Sequence, residues 1–184
     1  MNENKKIWGI IAFSLAGMCL LACGGLGLIV LFAPNIYQFS LDRSSLNVGS
    51  IAPDFELTEL KGESMRLSQF RGQPILLTFA ATWCPDCRTE TPVLQELHTS
   101  HPELVIVTVD SKESPETVQG FVDEFGVTYP ILLDTNGSTS DQYRIFAIPT
   151  GLFIDAQGII RAKIIENVTP QLLAEKLPLI GINP

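Results

Sequence analysis

Residues 74–87 decide the fold of this chain and read PILLTFAATWCPDC. A continuous apolar run such as residues 74–80, bounded by turn residues, is typical of a buried strand. A helix is predicted from about residue 85 to 99, where apolar residues recur with helical spacing. Two cysteines therefore stand where a strand ends and a helix begins.

The flanking sequence continues the alternation of strand and helix. Residues 104–109 predict a second buried strand, so strand, helix and strand form a parallel crossover. The other predicted elements are a hairpin over 55–67, a helix at 114–126, a strand at 129–133, a short helix at 138–146, strands at 151–154 and 159–165, and a helix that begins at Thr169-Pro170. The predicted fold class is α/β, a central mixed β-sheet flanked by helices, with an N-terminal β-hairpin extension.

The placement of Trp83-Cys84-Pro85-Asp86-Cys87 predicts dithiol chemistry. Two cysteines three positions apart at a helix start can close a small disulfide ring. The helix N-terminus carries about half a positive charge, which favours a thiolate. We expect Cys84 to be the exposed nucleophile and Cys87, one turn further on, to be the resolving thiol.

Half a zinc site, a structural disulfide and two core cysteines are the other interpretations of this pair. Zinc takes about four ligands, and outside the apolar N-terminal segment only His98 and His101 are further candidates of the usual type. We interpret both histidines as exposed positions near a helix end. We therefore expect dithiol redox chemistry and no metal.

The N-terminal segment predicts a membrane anchor. Ile7 to Ala33 contains no charged side chain. A helix of that length rises about 40 Å, enough for a hydrocarbon layer of about 30 Å. Lys5 and Lys6 precede it, which places the N-terminus in the cytoplasm. We expect a single-pass protein of the cytoplasmic (inner) membrane with an extracytoplasmic domain, and the alternative is a lipoprotein signal with Cys23 bearing the lipid.

The predicted organisation is a cytoplasmic tail (1–6), a transmembrane helix (7–33), a linker (34–50) and a folded domain (51–184). Hydrophobic residues make up 46% of the 184, which excludes a disordered chain. The folded domain holds nine basic and eighteen acidic residues. This acidic balance argues against a nucleic-acid partner, and the bilayer is expected to contact residues 7–33.

The sequence resembles the thioredoxin superfamily, in particular its membrane-anchored branch of TlpA/ResA-like thiol-disulfide oxidoreductases. The resemblance covers about residues 51–180. It rests on Ala52-Pro53-Asp54-Phe55, Trp83-Cys84-Pro85-Asp86-Cys87, Glu90, Pro92 and Ile148-Pro149-Thr150. It implies a thioredoxin-like fold, reduction of extracytoplasmic protein disulfides, a role in cytochrome c maturation, and a membrane electron donor of the DsbD/CcdA type. It implies no cofactor besides the redox-active Cys84–Cys87 disulfide.

The resemblance also implies roles for individual residues. Glu90 matches a glutamate implicated in dithiol protonation, and its pKa should rise if it is buried. Pro149 falls at the position of a cis-proline that faces the dithiol. Thr78 stands where cytosolic thioredoxins carry a buried aspartate, which strengthens the case for Glu90. The implied substrate-binding residues are Trp83, Pro85, Asp86, Ile148 and Pro149.

Two further function classes use a similar domain. A peroxiredoxin needs a threonine three residues before its peroxidatic cysteine, whereas Ala81 holds that position relative to Cys84. A copper chaperone of the Sco type needs wider cysteine spacing and a later histidine, and no histidine follows His101. A peroxiredoxin-like peroxidase and a Sco-type copper chaperone remain the alternatives, and the resemblance leads us to expect a disulfide reductase.

Overall fold

The computed structural model describes residues 46–183. The predicted tail, the predicted transmembrane helix and most of the predicted linker lie outside the described residues. Between residues 46 and 183, no helix is long and apolar enough to cross a membrane.

The described part of the chain alternates strands and helices. In chain order the elements are β1 (Glu56–Glu59), β2 (Ser64–Arg66), a 3₁₀ helix (Leu67–Phe70), β3 (Ile75–Ala80), α1 (Pro85–Ser100), β4 (Val105–Ser111), α2 (Pro115–Phe125), β5 (Ile131–Asp134), α3 (Ser138–Gln142), β6 (Thr150–Ile154), β7 (Ile160–Ile164), α4 (Pro170–Lys176) and a second 3₁₀ helix (Leu177–Ile180).

One mixed sheet of seven strands organises the described residues, in the order β2-β1-β5-β4-β3-β6-β7. The three central strands β3, β4 and β5 are parallel. β1 pairs antiparallel with β5, β6 pairs antiparallel with β3, and β7 pairs antiparallel with β6. The predicted mixed sheet flanked by helices is confirmed. Because β3 has neighbours on both sides, the loop that carries the cysteines leaves from the middle of the sheet.

The two faces of the sheet are covered by separate apolar clusters. On β3, Leu76 belongs to one cluster, which includes Leu94 of α1, and the alternate residues Leu77 and Phe79 belong to the other, which includes Tyr143. Successive strand residues point to opposite faces, so an unbroken apolar strand is what a doubly covered sheet requires.

Local capping sets the helix boundaries. The Ser114 side chain accepts the Thr117 N–H at the start of α2. At the other end, Gly126 follows the last helical residue as the C-cap, with a φ of 64°. These are the boundaries that the sequence predicts. In contrast, α3 ends at Gln142 rather than at the predicted residue 146. The next residue, Tyr143, is fully buried, and Arg144 has a positive φ of 49°, which turns the chain out of the helix.

Candidate functional site

The two cysteines form a disulfide at the junction of β3 and α1. Cys84 is the N-cap of α1, and its Sγ accepts a hydrogen bond from the Cys87 N–H at 3.2 Å. The two Cα atoms are 5.2 Å apart. Pro85 occupies the first helical position, where no N–H is needed. The local sequence thus places both sulfurs at the positive end of a helix dipole.

The expectation of an exposed Cys84 is wrong for this disulfide form. Cys84 is 4% exposed and Cys87 is 1% exposed. Cys84 lies between the central strand β3 and the helix α1 that it caps, and its sulfur is bonded to that of the buried Cys87. Cys84 still has the larger accessible share, and Trp83 beside it is 68% exposed. Cys84 is therefore the more accessible of the two cysteines.

The peptide bond between Ile148 and Pro149 is cis, as expected. Both residues immediately precede β6, in which Thr150 pairs with Phe79 near the end of β3. This register brings the loop before β6 to the end of β3 from which the cysteine loop also leaves. In that loop Phe146 is 92% exposed. The sequence does not reveal this exposure, because Phe146 lies within the apolar run 145–148, which suggests burial.

Glu90 lies one turn beyond Cys87 on α1 and is 2% exposed. Its Oε2 accepts the Val168 N–H at 2.8 Å. Burial raises the pKa of Glu90 to about 7, against the lowering effect of that hydrogen bond. The rise in pKa expected on burial is therefore present, and Glu90 exchanges its proton near neutral pH.

A second buried carboxyl, which sequence reasoning missed, lies on the neighbouring strand. Asp110 of β4 stands directly opposite Ala80 of β3 and is 4% exposed. Burial raises the pKa of Asp110 to about 8, and the adjoining side chain of Glu113 adds to the rise. The available signal was a carboxylate at the carboxyl end of an otherwise apolar parallel strand, because ligands and catalytic groups collect at such ends.

Glu113 ties the cysteine loop to the end of β4. Its carboxylate accepts the Thr82 N–H at 2.6 Å and the Thr82 hydroxyl at 2.7 Å. Thr82 is two residues before Cys84, so this pair of hydrogen bonds fixes the approach of the chain to the disulfide. Charge-assisted hydrogen bonds of this kind are the stronger ones in proteins.

The two histidines lie away from the disulfide and are half-buried, which corrects their interpretation as exposed positions. His98 packs its ring against Tyr129, with centroids 5.9 Å apart. The two ring nitrogens of His101 pair with the Ser100 hydroxyl at 2.8 Å and the Asn183 carbonyl at 3.2 Å. In the described part of the chain, no cluster of three or more His, Cys, Asp or Glu side chains could hold a metal ion.

Comparisons with known proteins agree in the chemistry they indicate. The model of the AhpC/TSA family matches residues 48–163. The thiol-disulfide oxidoreductase ResA of Geobacillus kaustophilus is 35% identical over 150 residues, which cover 78% of this chain and 86% of that protein. The ResA of Halalkalibacterium halodurans is 32% identical over 182 residues and covers 98% of each.

A solved structure shares the architecture. The crystal structure of a putative thiol:disulfide interchange protein DsbE from Chlorobium tepidum matches with a TM-score of 0.69 and 25% identity. The match covers 74% of this chain and 100% of that one.

Proposed function

This chain belongs to the AhpC/TSA family and is a thiol-disulfide oxidoreductase of the ResA and DsbE type, and we propose that it reduces extracytoplasmic protein disulfides through Cys84 and Cys87 while tethered to a membrane. The observation that carries the proposal is the disulfide between these two residues at the start of α1.

The proposed reaction exchanges one disulfide for another. The Cys84 thiolate attacks a substrate disulfide, which forms a mixed disulfide and releases the first substrate thiol after protonation. Cys87 then attacks the Cys84 sulfur, the mixed disulfide breaks, and the second substrate thiol leaves. Two electrons and two protons pass from the dithiol to the substrate. Cys87 is in position for the second step, because its Cα lies 5.2 Å from that of Cys84.

The charges around Cys84 support the reducing direction. The N-terminus of α1 stabilises a Cys84 thiolate, but Asp86 in the first turn places a carboxylate at the same end. A less stable thiolate makes the reduced form less stable, so the dithiol gives up its electrons more readily. Asp86 therefore favours a reductase over a strongly oxidising enzyme.

The proposed substrate surface consists of the exposed residues around the disulfide. Trp83, Pro85 and Asp86 are exposed on the cysteine loop, and Phe146 is exposed on the loop before β6. Exposed Trp and Phe rings provide apolar area for an extended protein segment, which can pair with the backbone at Ile148 beside Pro149. Such a surface suits an unfolded or flexible protein disulfide better than a small molecule.

The remaining parts of the proposal concern location and electron supply. The charge-free run 7–33 would hold the protein in the cytoplasmic membrane with its thioredoxin-like domain outside. A membrane carrier of the DsbD/CcdA type would then re-reduce the Cys84–Cys87 disulfide, and no other cofactor is needed. Apocytochrome c is the proposed substrate, as the resemblance to the TlpA/ResA-like branch implies.

Trapping tests the proposal directly. In a Cys87→Ala chain the mixed disulfide through Cys84 cannot be resolved, so an adduct with the substrate protein should accumulate under oxidising conditions. A Cys84→Ala chain is the matched control and should give no adduct that reducing agent releases. If the Cys87→Ala chain yields no such adduct, or both variants yield the same one, the dithiol mechanism is refuted.

The tether has its own test. Membranes from cells that express the full chain are washed at high pH and separated from soluble protein. We expect the full chain to stay in the membrane fraction. A chain that lacks residues 7–33 should be released into the soluble fraction. A chain recovered in the soluble fraction contradicts the tether while leaving the dithiol chemistry intact.

A further inference from the structure

We propose that Asp110 is a second proton store for the Cys84–Cys87 exchange, and that it supplies Glu90 through a single water held in the cavity between them. This inference rests on the proposed dithiol site. It assigns Asp110 no contact with the sulfurs, so Asp110 acts through Glu90.

A small cavity joins the two carboxyl residues beneath the cysteine loop. It has a volume of about 20 Å³ and is lined by Ala81, Glu90, Asp110 and Tyr129 among others. Asp110 reaches it from the carboxyl end of β4 and Glu90 from α1. The cavity is therefore the space through which a proton would pass from the sheet to the dithiol helix.

One oxygen of Asp110 is left for a partner in this cavity. Its Oδ1 is buried without a hydrogen-bond partner among residues 46–183. An orphaned carboxyl oxygen costs about 1–3 kcal/mol, so a water is expected wherever one fits. A water needs roughly 10–15 Å³ and two to four polar partners. The cavity supplies both, since Glu90, Thr91, Thr108 and Tyr129 also line it.

The groups around Asp110 explain why it holds a proton. Glu113 adjoins its carboxyl, and Asp134 on the neighbouring strand β5 adds a negative charge. Glu90 and Tyr129 are the other titratable side chains that line the cavity. All of these groups are neutral or negative, so they oppose a second negative charge on Asp110. The Asp110 carboxyl is therefore neutral when Glu90 begins to ionise.

Reduction of the Cys84–Cys87 disulfide needs a proton, which Glu90 and Asp110 can supply. When a donor thiolate from a partner dithiol attacks Cys84, the S–S bond breaks and Cys87 leaves as a thiolate. Cys87 is almost fully buried, so bulk water does not reach it readily. Glu90 gives its proton to that thiolate, and Asp110 then returns a proton to Glu90 through the water. The attack leaves a mixed disulfide between the donor and Cys84, which the second donor thiol breaks by attacking the first donor sulfur, so that Cys84 is released as a thiolate. The donor dithiol thus becomes a disulfide and supplies both electrons, and Asp110 is reprotonated from solvent afterwards.

The pKa values define a pH window for this relay. The pKa of Glu90 is about 7 and that of Asp110 is about 8. Near pH 5.5 Glu90 still holds its own proton, and near pH 9.5 both carboxyls are ionised. Only between about pH 7 and 8 is Glu90 mostly ionised while Asp110 is still protonated. An effect that requires Asp110 should be confined to that window.

The test compares Asp110→Asn with the wild-type full chain. Dithiothreitol reduces the Cys84–Cys87 disulfide at about pH 5.5, 7.5 and 9.5, and the freed thiols are alkylated and counted by mass. The ratio of variant to wild-type rate cancels the ionisation of the reductant. We expect a ratio near one at the two extremes and a loss of about threefold near pH 7.5, where Glu90 alone is about one-quarter protonated.

Two controls separate the relay from a structural effect. Asp141→Asn changes an exposed aspartate on α3 and should leave the ratio near one throughout. Tyr129→Phe removes a hydroxyl from the cavity wall, so it should slow the reaction in the same window even if Asp110→Asn does not fold. The relay is overturned if the ratio of variant to wild-type rate for Asp110→Asn is the same at all three pH values. If Asp110→Asn does not fold, the same result for Tyr129→Phe overturns it. If the wild-type chain reduces no protein disulfide at all, it is the proposed function that fails.

Discussion

Glu90→Gln should stabilise the oxidised protein above neutral pH and leave its stability nearly unchanged near pH 4.5. Burial raises the pKa of Glu90 from 4.5 to about 7, so the folded protein keeps a proton that the unfolded chain releases. Folding therefore binds a proton in this range, and the free energy of unfolding falls as the pH rises from about 4.5 to 7. At about 1.4 kcal/mol per pH unit, the loss amounts to about 3 kcal/mol.

Glutamine removes this loss without removing the local contact. Its side-chain oxygen can still accept the Val168 N–H, and it carries no charge to desolvate. Urea unfolding of the oxidised full chain between about pH 4.5 and 9 measures the difference. Glu96→Gln, an exposed change on the same helix α1, is the matched control and should show little pH-dependent effect. A stability difference for Glu90→Gln that is the same at both ends of the range would refute the reasoning.

Three further variants test packing, capping and substrate contact. Leu94→Ala opens space in the buried cluster under α1 and should lower the free energy of unfolding in urea by about 2–5 kcal/mol. Ser114→Ala removes the side chain that accepts the Thr117 N–H, so the same measurement should show a loss of about 1 kcal/mol. Phe146→Ser should raise the KM for a disulfide-bonded protein by about tenfold and leave the rate with glutathione disulfide unchanged, because Phe146 is exposed and lies apart from the sulfurs along the chain. An unchanged KM for the protein substrate would remove Phe146 from the proposed surface.

The parts of the fold that the sequence predicts well depend on local signals. The buried strand β3 is apolar except for Thr78, and α2 has a serine cap, a proline at its first position and a glycine after its end. Each signal acts within a few residues, so no knowledge of the sheet is needed to read it. The same holds for the cysteine pair, whose position between a strand and a helix follows from the order of the chain.

The parts that the sequence does not predict depend on contacts between distant residues. The exposure of Cys84 depends on how the cysteine loop packs between β3 and α1. Cys84 caps a helix at the end of an inner strand, and it is more buried than the position of the two cysteines in the sequence suggests. The end of α3 depends on the burial of Tyr143, whose ring packs against Phe55 and Phe79 from other parts of the chain. Tertiary packing of this kind overrides local helix propensity.

The position of Asp110 follows from the pairing of two strands and cannot be predicted from the sequence of one strand. The sequence has threonine at residue 78 of β3, which left Glu90 as the candidate proton carrier for the dithiol. In the sheet the Thr78 hydroxyl pairs with that of Thr108 on β4 at 2.7 Å. Asp110 is two residues beyond Thr108 and so shares its face, opposite Ala80. An acid thus reaches the cavity that Glu90 also lines from the neighbouring strand, and the register between β3 and β4 is what places it there.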